Sequence, residues 1–251
     1  MKKKQRHQII LDKVHIHNRV LLTDLASQLK VSMDTVRRDV IELDMQKKIK
    51  KVHGGAVSNG FNFYSDRKRE IYELENKSII AQKGISLLKK GDVVLITGGS
   101  TNLELIKLLP PKLNLTIFTP SLTMAIELLN STSENYEIIF IGGRLSRGSQ
   151  LATGGSSINF LSEIRADICF LGTGFLDIQQ GITEIDWEIA QLKKAMIKAS
   201  KAIVSLTISE KLNTSNRYKI CDIDKLDVLV TELDTDSKIL DPYRKSGIEL
   251  L

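Results

Sequence analysis

Apolar residues recur at helical spacing over roughly the first fifty positions and gather into short continuous runs after about residue 90. The early rhythm predicts a first helix over residues 5–17, with Ile9, Ile10 and Val14 facing inward. Thr23-Asp24-Leu25-Ala26-Ser27-Gln28-Leu29 predicts a second, short capped helix, and Lys30-Val31 is a tight connection to a third. Ser32 is placed to cap that third helix, because its hydroxyl can accept from a free first-turn amide. At about 100° per residue, Met33, Val36, Val40 and Leu43 form one apolar stripe. Arg38 points away from the stripe, with Asp34 and Thr35 beside it and Arg37 on its flank. Lys47 to Ala56 then alternates basic with apolar residues and turns at Gly54-Gly55, the pattern of a basic hairpin.

The pattern changes across residues 58–76. Ser58 to Tyr64 is turn-rich and aromatic, and Ser65-Asp66-Arg67-Lys68-Arg69-Glu70 is a charged run suited to start a helix. This span is read as a linker between a domain at 1–57 and a second at 77–251. A helix is expected over residues 78–90, stopping at Gly91, a natural residue to follow a helix end. Six apolar runs follow, at residues 93–96, 115–118, 138–141, 168–171, 202–204 and 228–230, with helical patterns at 103–109, 122–129 and 187–200. Continuous apolar runs suit strands covered on both faces. The fold class expected is therefore α/β: a small helix-and-hairpin domain, then a larger α/β domain with a largely parallel sheet.

Composition changes this picture mainly through charge. The chain of 251 residues has a hydrophobic content of 42% and a charged content of 26%, ordinary for a soluble globular protein. Residues 1–58 carry 13 Lys and Arg against 6 Asp and Glu, whereas the remainder carries 23 against 24. A basic segment joined to a neutral body is the footprint of nucleic-acid binding and not of a generally basic enzyme. Two cysteines, Cys169 and Cys221, give no disulfide framework and fit a reducing cytoplasm. The basic start is followed only by Ile9-Ile10-Leu11, too short for a signal sequence, and no run approaches the ~20 residues of a membrane span. His15 and His17 diverge on a helix, and no Cys, His or carboxylate grouping has zinc-site spacing. No metal and no cofactor is expected.

Two short helices joined tightly, then a basic hairpin, form a winged helix-turn-helix whose last helix enters the major groove. Ser32, Asp34, Thr35, Arg37 and Arg38 are the candidate DNA-facing residues of that helix, since an arginine fork bonds guanine or phosphate. Lys50, Lys51 and His53 are those of the wing. In the second domain, ligands of an open α/β sheet are expected at the carboxyl ends of strands. Thr97-Gly98-Gly99-Ser100-Thr101 follows the first run and precedes a helix. Its small residues let an anion approach the backbone while hydroxyls and the helix start donate. It is not a P-loop, and glycine turns between strand and helix are also common without ligands. Gly142-Gly143-Arg144, Thr153 to Ser157 and Gly172-Thr173-Gly174 are further loops of this kind. Arg144 or Lys211 is placed to clamp a phosphate, or equally to sit as a solvated charge.

Thr35-Val36-Arg37-Arg38-Asp39 and His53-Gly54-Gly55-Ala56 resemble the signature of the DeoR-type family of bacterial transcriptional regulators. The match is dense over the first 57 residues and looser beyond. The resemblance implies operator binding by the N-terminal domain and a C-terminal domain, similar to ribose-5-phosphate isomerase, that senses a phosphorylated sugar or related metabolite. It further implies effector contacts at Gly99-Ser100-Thr101, Gly142-Gly143, Asp167 and Lys211. Many relatives carry aspartate where this chain has Thr97 and Ile208, and an isoleucine can neither accept a sugar hydroxyl nor act as a base. A DNA-binding repressor of a sugar operon, controlled by a sugar phosphate and acting as a homo-oligomer on double-stranded operator DNA, is the expected function. The competing class is a sugar-phosphate isomerase with an added DNA-binding domain. Proton transfer between carbons needs a poised carboxylate, and Leu171 to Asp177 offers one carboxylate without a cluster. A general nucleic-acid coating protein leaves the neutral second domain unexplained.

Overall fold

The computed structural model describes residues 1–58, 72–131 and 135–251. The charged run at 65–70 lies outside the described residues. Two compact units divide the chain, 1–72 and 73–251.

The first unit opens with α1 (Lys3–His17), on which Ile10 and Val14 are fully buried and Ile9 partly so. A short strand follows that hydrophobic spacing does not announce, β1 (Arg19–Leu21). Three residues are too few to show a period of two, and the strand is set by its pairing with the wing. Next come α2 (Leu22–Leu29) and α3 (Met33–Met45). Ser32 caps α3, its Oγ accepting from Thr35 N at 3.2 Å. Val36, Val40 and Leu43 are fully buried, but Met33 is 37% exposed. The first turn of α3 projects beyond the core, and the inward position one turn later is taken by Asp39. Its carboxylate is buried and accepts from Arg6 Nε at 2.7 Å and Nη2 at 3.2 Å, with His7 Nε2 at 3.1 Å. β2 (Ile49–Val52) and β3 (Gly55–Ser58) make the predicted hairpin, and β1 pairs with the far side of β3. Gly54 turns it with φ +72°, and a Cβ on Gly55 would lie 2.1 Å from the Val20 carbonyl oxygen. That contact is possible only for glycine.

The second unit starts with α4 (Leu74–Ile85), three residues before the expected boundary at 77. Glu75 in its first turn suits the positive helix start. The alternating body then runs β4 (Val93–Ile96), α5 (Ser100–Lys107), β5 (Thr116–Thr119), α6 (Leu122–Ser131) and β6 (Glu137–Phe140). A small hairpin of β7 (Arg144–Leu145) and β8 (Ala152–Thr153) leads into α7 (Gly155–Ser162) and β9 (Ala166–Phe170). β10 (Phe175–Asp177), β11 (Gly181–Glu184), α8 (Trp187–Lys198), β12 (Ser200–Leu206), β13 (Tyr218–Cys221), β14 (Val228–Val230), α9 (Asp241–Lys245) and β15 (Glu249–Leu250) complete it. All six apolar runs become neighbours in one seven-stranded parallel sheet, ordered β15-β14-β12-β9-β4-β5-β6. Five are well buried, but β6 is an edge strand and its Phe140 is 39% exposed. Leu95, Cys169, Ile203 and Leu229, with Ile189, Leu192 and Met196 of α8, belong to the main core. β10, β11 and β13 form a separate antiparallel sheet.

The first strand, β4, is central. Connections run outward from it to β5 and β6, then return to β9 and proceed the other way. Such a reversal opens a crevice beyond the carboxyl ends of the two strands that flank it, here β4 and β9. No helix among the described residues is long and apolar enough to cross a membrane.

Candidate functional site

On α3 the outward face is as the spacing predicts. Ser32, Asp34, Arg37 and Arg38 are exposed, and Thr35 is half-buried with its Oγ1 2.9 Å from Ser32 Oγ. Arg37 already pairs with Asp34 at 3.2 Å. Arg38 has no ion-pair or hydrogen-bond partner among the described residues, so its guanidinium is the uncommitted one. In the wing, Lys50, Lys51 and His53 are exposed, and the Lys51 backbone amide is held by Asp44 Oδ1 at 3.1 Å. An exposed helix with a free arginine beside a basic hairpin offers donors for base edges and phosphates.

The crevice of the second unit is built from three strand ends. Leaving β4, Thr97 is buried, and its Oγ1 accepts from Gly172 N at 2.6 Å and donates to the Gly98 carbonyl at 3.1 Å. Asn102 Nδ2 donates to the carbonyls of Thr97 and Phe170, each at 3.1 Å. These bonds lock the loop after β4 to the loop after β9. The approach is so close that a Cβ on Gly172 would sit 2.4 Å from the Gly98 oxygen. Gly99 takes φ +134° to start α5 at Ser100, and Thr101 is buried in its first turn. The leading amides of such a helix have no partner within it and carry partial positive charge.

Beside this cradle the structure gathers buried cations. Lys211, in the short 3₁₀ turn after β12, is 6% exposed and donates to the Thr173 carbonyl at 2.9 Å. Burial, with Lys77 and Lys193 nearby, pushes its ammonium down to about 7, against the pull of Glu184. Lys77 on α4 is 3% exposed, and burial lowers it to about 8 against Glu73, Glu104 and Glu210. Lys193 on α8 is 5% exposed and is neutralised by Glu184 Oε2 at 2.6 Å. Hydroxyls extend the rim: Thr173 Oγ1 lies 2.6 Å from Ser205 Oγ, which donates to Thr207 at 3.3 Å. Burying ammonium groups is costly unless something anionic compensates. Three buried lysines share this region with Glu184, which pairs with Lys193, and with Glu73, Glu104 and Glu210, which act on Lys77.

The expected residues divide accordingly. Gly98, Gly99, Ser100, Thr101, Gly172 and Lys211 come together at the crevice. Gly142 and Gly143 follow the edge strand β6, where the Gly142 carbonyl accepts from Ser157 at 2.8 Å and a Cβ on Gly143 would meet that hydroxyl at 2.2 Å. Their loop packs on the start of α7. Arg144 is exposed and pairs with Glu188 of α8 at 3.2 Å. Asp167 lies at the opposite end of the sheet, which corrects its expected place. Its carboxylate accepts from Val93 N at 2.9 Å and Lys201 at 2.7 Å, tying together the amino ends of β4, β9 and β12. Those bonds, with Lys201 first, hold it below the usual carboxylate range. Sequence reasoning missed Lys77 and Asn102 and gave Glu184 no role. Lys193 falls within the helical pattern at 187–200, and its partner Glu184 comes from the neighbouring sheet.

Comparison with known proteins decides the family. The model of the DeoR C-terminal sensor domain matches residues 73–233, and that of the DeoR-like helix-turn-helix domain matches residues 6–60. The chain belongs to the DeoR family of transcriptional regulators. It is 30% identical to the HTH-type transcriptional repressor GlcR of Bacillus subtilis, over all of this chain and 96% of that one. It is 28% identical to the glycerol-3-phosphate regulon repressor of Escherichia coli, over all of this chain and 99% of that one. A solved D-ribose-5-phosphate isomerase aligns with 55% of this chain and 53% of its own at 16% identity and a TM-score of 0.40. At so remote a likeness the strand order above defines the fold. As a DeoR-family regulator the chain binds DNA through its helix-turn-helix unit and senses an effector through its C-terminal unit. Its family is one of transcription factors, not of isomerases.

Proposed function

We propose that this DeoR-family regulator is a cytoplasmic repressor of a sugar-metabolism operon, released from operator DNA by a phosphorylated sugar metabolite. The observation that carries the reading is the buried lysine group of Lys77, Lys193 and Lys211 beside the Gly98 to Thr101 cradle. A phosphate at the cradle gains amide and hydroxyl donors, the start of α5 and the buried ammonium of Lys211. A free sugar gains little from the last two. The names of relatives, among them the glycerol-3-phosphate regulon repressor and a putative aga operon repressor, support the same class of control. Two half-sites read by a helix-turn-helix protein call for at least a dimer.

Titration calorimetry of the full chain against phosphorylated and free sugars tests this. The phosphorylated form is expected to bind at least ~100-fold more tightly, because two or more charge-assisted bonds are worth about 1.5–3 kcal/mol each. Equal affinity for both forms would rule the reading out.

On the DNA side, Arg38→Ala is expected to weaken operator binding with an unchanged melting temperature, since the side chain is exposed and uncommitted. Loss of a base contact would lower discrimination by about 1–3 kcal/mol, whereas loss of a phosphate contact would weaken all sequences alike. Gel shifts competed with operator and random DNA separate these outcomes, and unchanged binding to both would remove α3 from the interface.

A further inference from the structure

A groove of about 480 Å³ lies between α7 and α8, outside the crevice of buried lysines. It is lined by Arg165 and Ala199, which immediately precede β9 and β12, so it sits at the amino edge of the sheet. The glycine loops leave the other edge, a strand length of about 20 Å away. Its volume falls in the range of metabolite-sized sites, about 300–1,000 Å³.

The lining has two characters. Leu161, Ile164 and Ala195 give an apolar wall. Arg165, Lys194 and Lys198 bring three cations, none of which pairs with a carboxylate among the described residues. Lys194 only approaches the Trp187 ring, 5.9 Å from its centroid. Between wall and cations, the Gln191 Nε2 donor is buried and has no hydrogen-bond partner among the described residues. Lys198 stands in the last turn of α8, where the helix dipole alone favours a cation. Arg165 and Lys194 have no such reason, and a buried donor without an acceptor is unfavourable enough to be rare.

We propose that this groove is a second ligand site of the sensor domain, for an organic anion with an apolar body. A carboxylate or phosphate end lies among Arg165, Lys194 and Lys198 and accepts from Gln191, and the nonpolar part lies along Leu161, Ile164 and Ala195. The site does not rest on the effector reading above, because it shares no residue with the crevice.

The full chain provides its own reporter. Trp187 is its sole tryptophan and lies one helical turn before Gln191 on α8. The probe is 8-anilinonaphthalene-1-sulfonate, an apolar ring system with one fixed negative charge, read by energy transfer from Trp187. Saturable binding of one probe per chain is expected. Combined Arg165→Gln, Lys194→Gln and Lys198→Gln should weaken it at least ~10-fold, since bonds to charged groups dominate. The melting temperature of this variant should stay unchanged, as the three side chains make no ion pair among the described residues. Ala195→Phe, which fills the groove, should abolish binding, and the neutral analogue N-phenyl-1-naphthylamine should bind at least ~10-fold more weakly to the parent. Parent-like probe affinity in the triple-glutamine variant overturns the proposal, whether or not Ala195→Phe folds. Equal affinity for the neutral analogue overturns it too. So does a change of sedimenting mass in Ala195→Phe, which would make the groove a contact between copies.

Discussion

Lys211→Met is expected to bind operator DNA as the parent does and to lose its response to phosphorylated sugars. The helix-turn-helix residues belong to another compact unit, so the substitution leaves them untouched. Within the sensor unit, Lys211 supplies a buried ammonium that donates to the Thr173 carbonyl at 2.9 Å. Methionine fills similar space without charge, and replacing a buried ion by an apolar side chain is often neutral for stability. Removing the cation should cost a phosphate ligand about 1.5–3 kcal/mol, a loss of roughly 10- to 150-fold. Gel shifts titrated with the effector read this directly, and a parent-like response would exclude Lys211 from the site.

The same lysine sets a pH signature. Its ammonium is pushed down to about 7 from an ordinary 10.5, so the unfolded chain binds more protons than the folded one between those values. Stability of the ligand-free protein should therefore rise as pH increases from about 7 to 10.5. A phosphate favours the charged lysine, so binding above pH 7 must take up a proton. Affinity should then fall with rising pH by up to about tenfold per unit. Below about pH 6 the phosphate itself loses a charge. Calorimetry in buffers of different ionisation enthalpy would reveal the uptake, and a flat affinity between pH 7 and 9 would count against it.

What the sequence disclosed follows from which interactions are local. The three helices of the first unit and the six main strands were legible because each is defined by its own apolar spacing. Ser32 was legible as a cap because capping is a contact within one turn. β1 and β15 were not, since strands of three and two residues exist only through their neighbours. α7 was read as part of a glycine-serine loop, because Gly154, Gly155, Ser156 and Ser157 hide its start. At the crevice the glycine cradle could be read from strand followed by small residues. Of the lysines around it only Lys211 could be read; Lys77 and Lys193 could not, as the three are separated by over a hundred residues at the extremes and meet only in the fold. Asp167 misled for the converse reason: its place opening a strand says nothing about which end of the sheet carries the ligand.

Asp39→Ala is the second large effect expected, and it should fall on the DNA-binding unit alone. Asp39 stands in α3 between Val36 and Val40, both fully buried, so its carboxylate is drawn into the seam with α1. Burial raises its pKa, but hydrogen bonds from Arg6 and His7 outweigh that and hold the carboxyl below its usual value. The three residues thus tie α3 to α1, and Asp39 acts from within the core. Alanine removes the acceptor of Arg6 Nε at 2.7 Å and leaves the guanidinium against an apolar helix face. The melting transition of residues 1–58 should drop by more than about 5 °C, as small domains shift by about 4–8 °C per kcal/mol. The transition of residues 73–251 should not move. Because the folded-state carboxyl is depressed, its contribution is present above the unfolded pKa of ~4 and is lost as pH falls through the lower folded value. The parent's first transition should therefore lose stability in acid more steeply than that of Asp39→Asn, which cannot titrate there. Calorimetric scans from pH 7 down to pH 3 compare the two, and parallel pH profiles would show that the carboxylate does not hold α1 to α3.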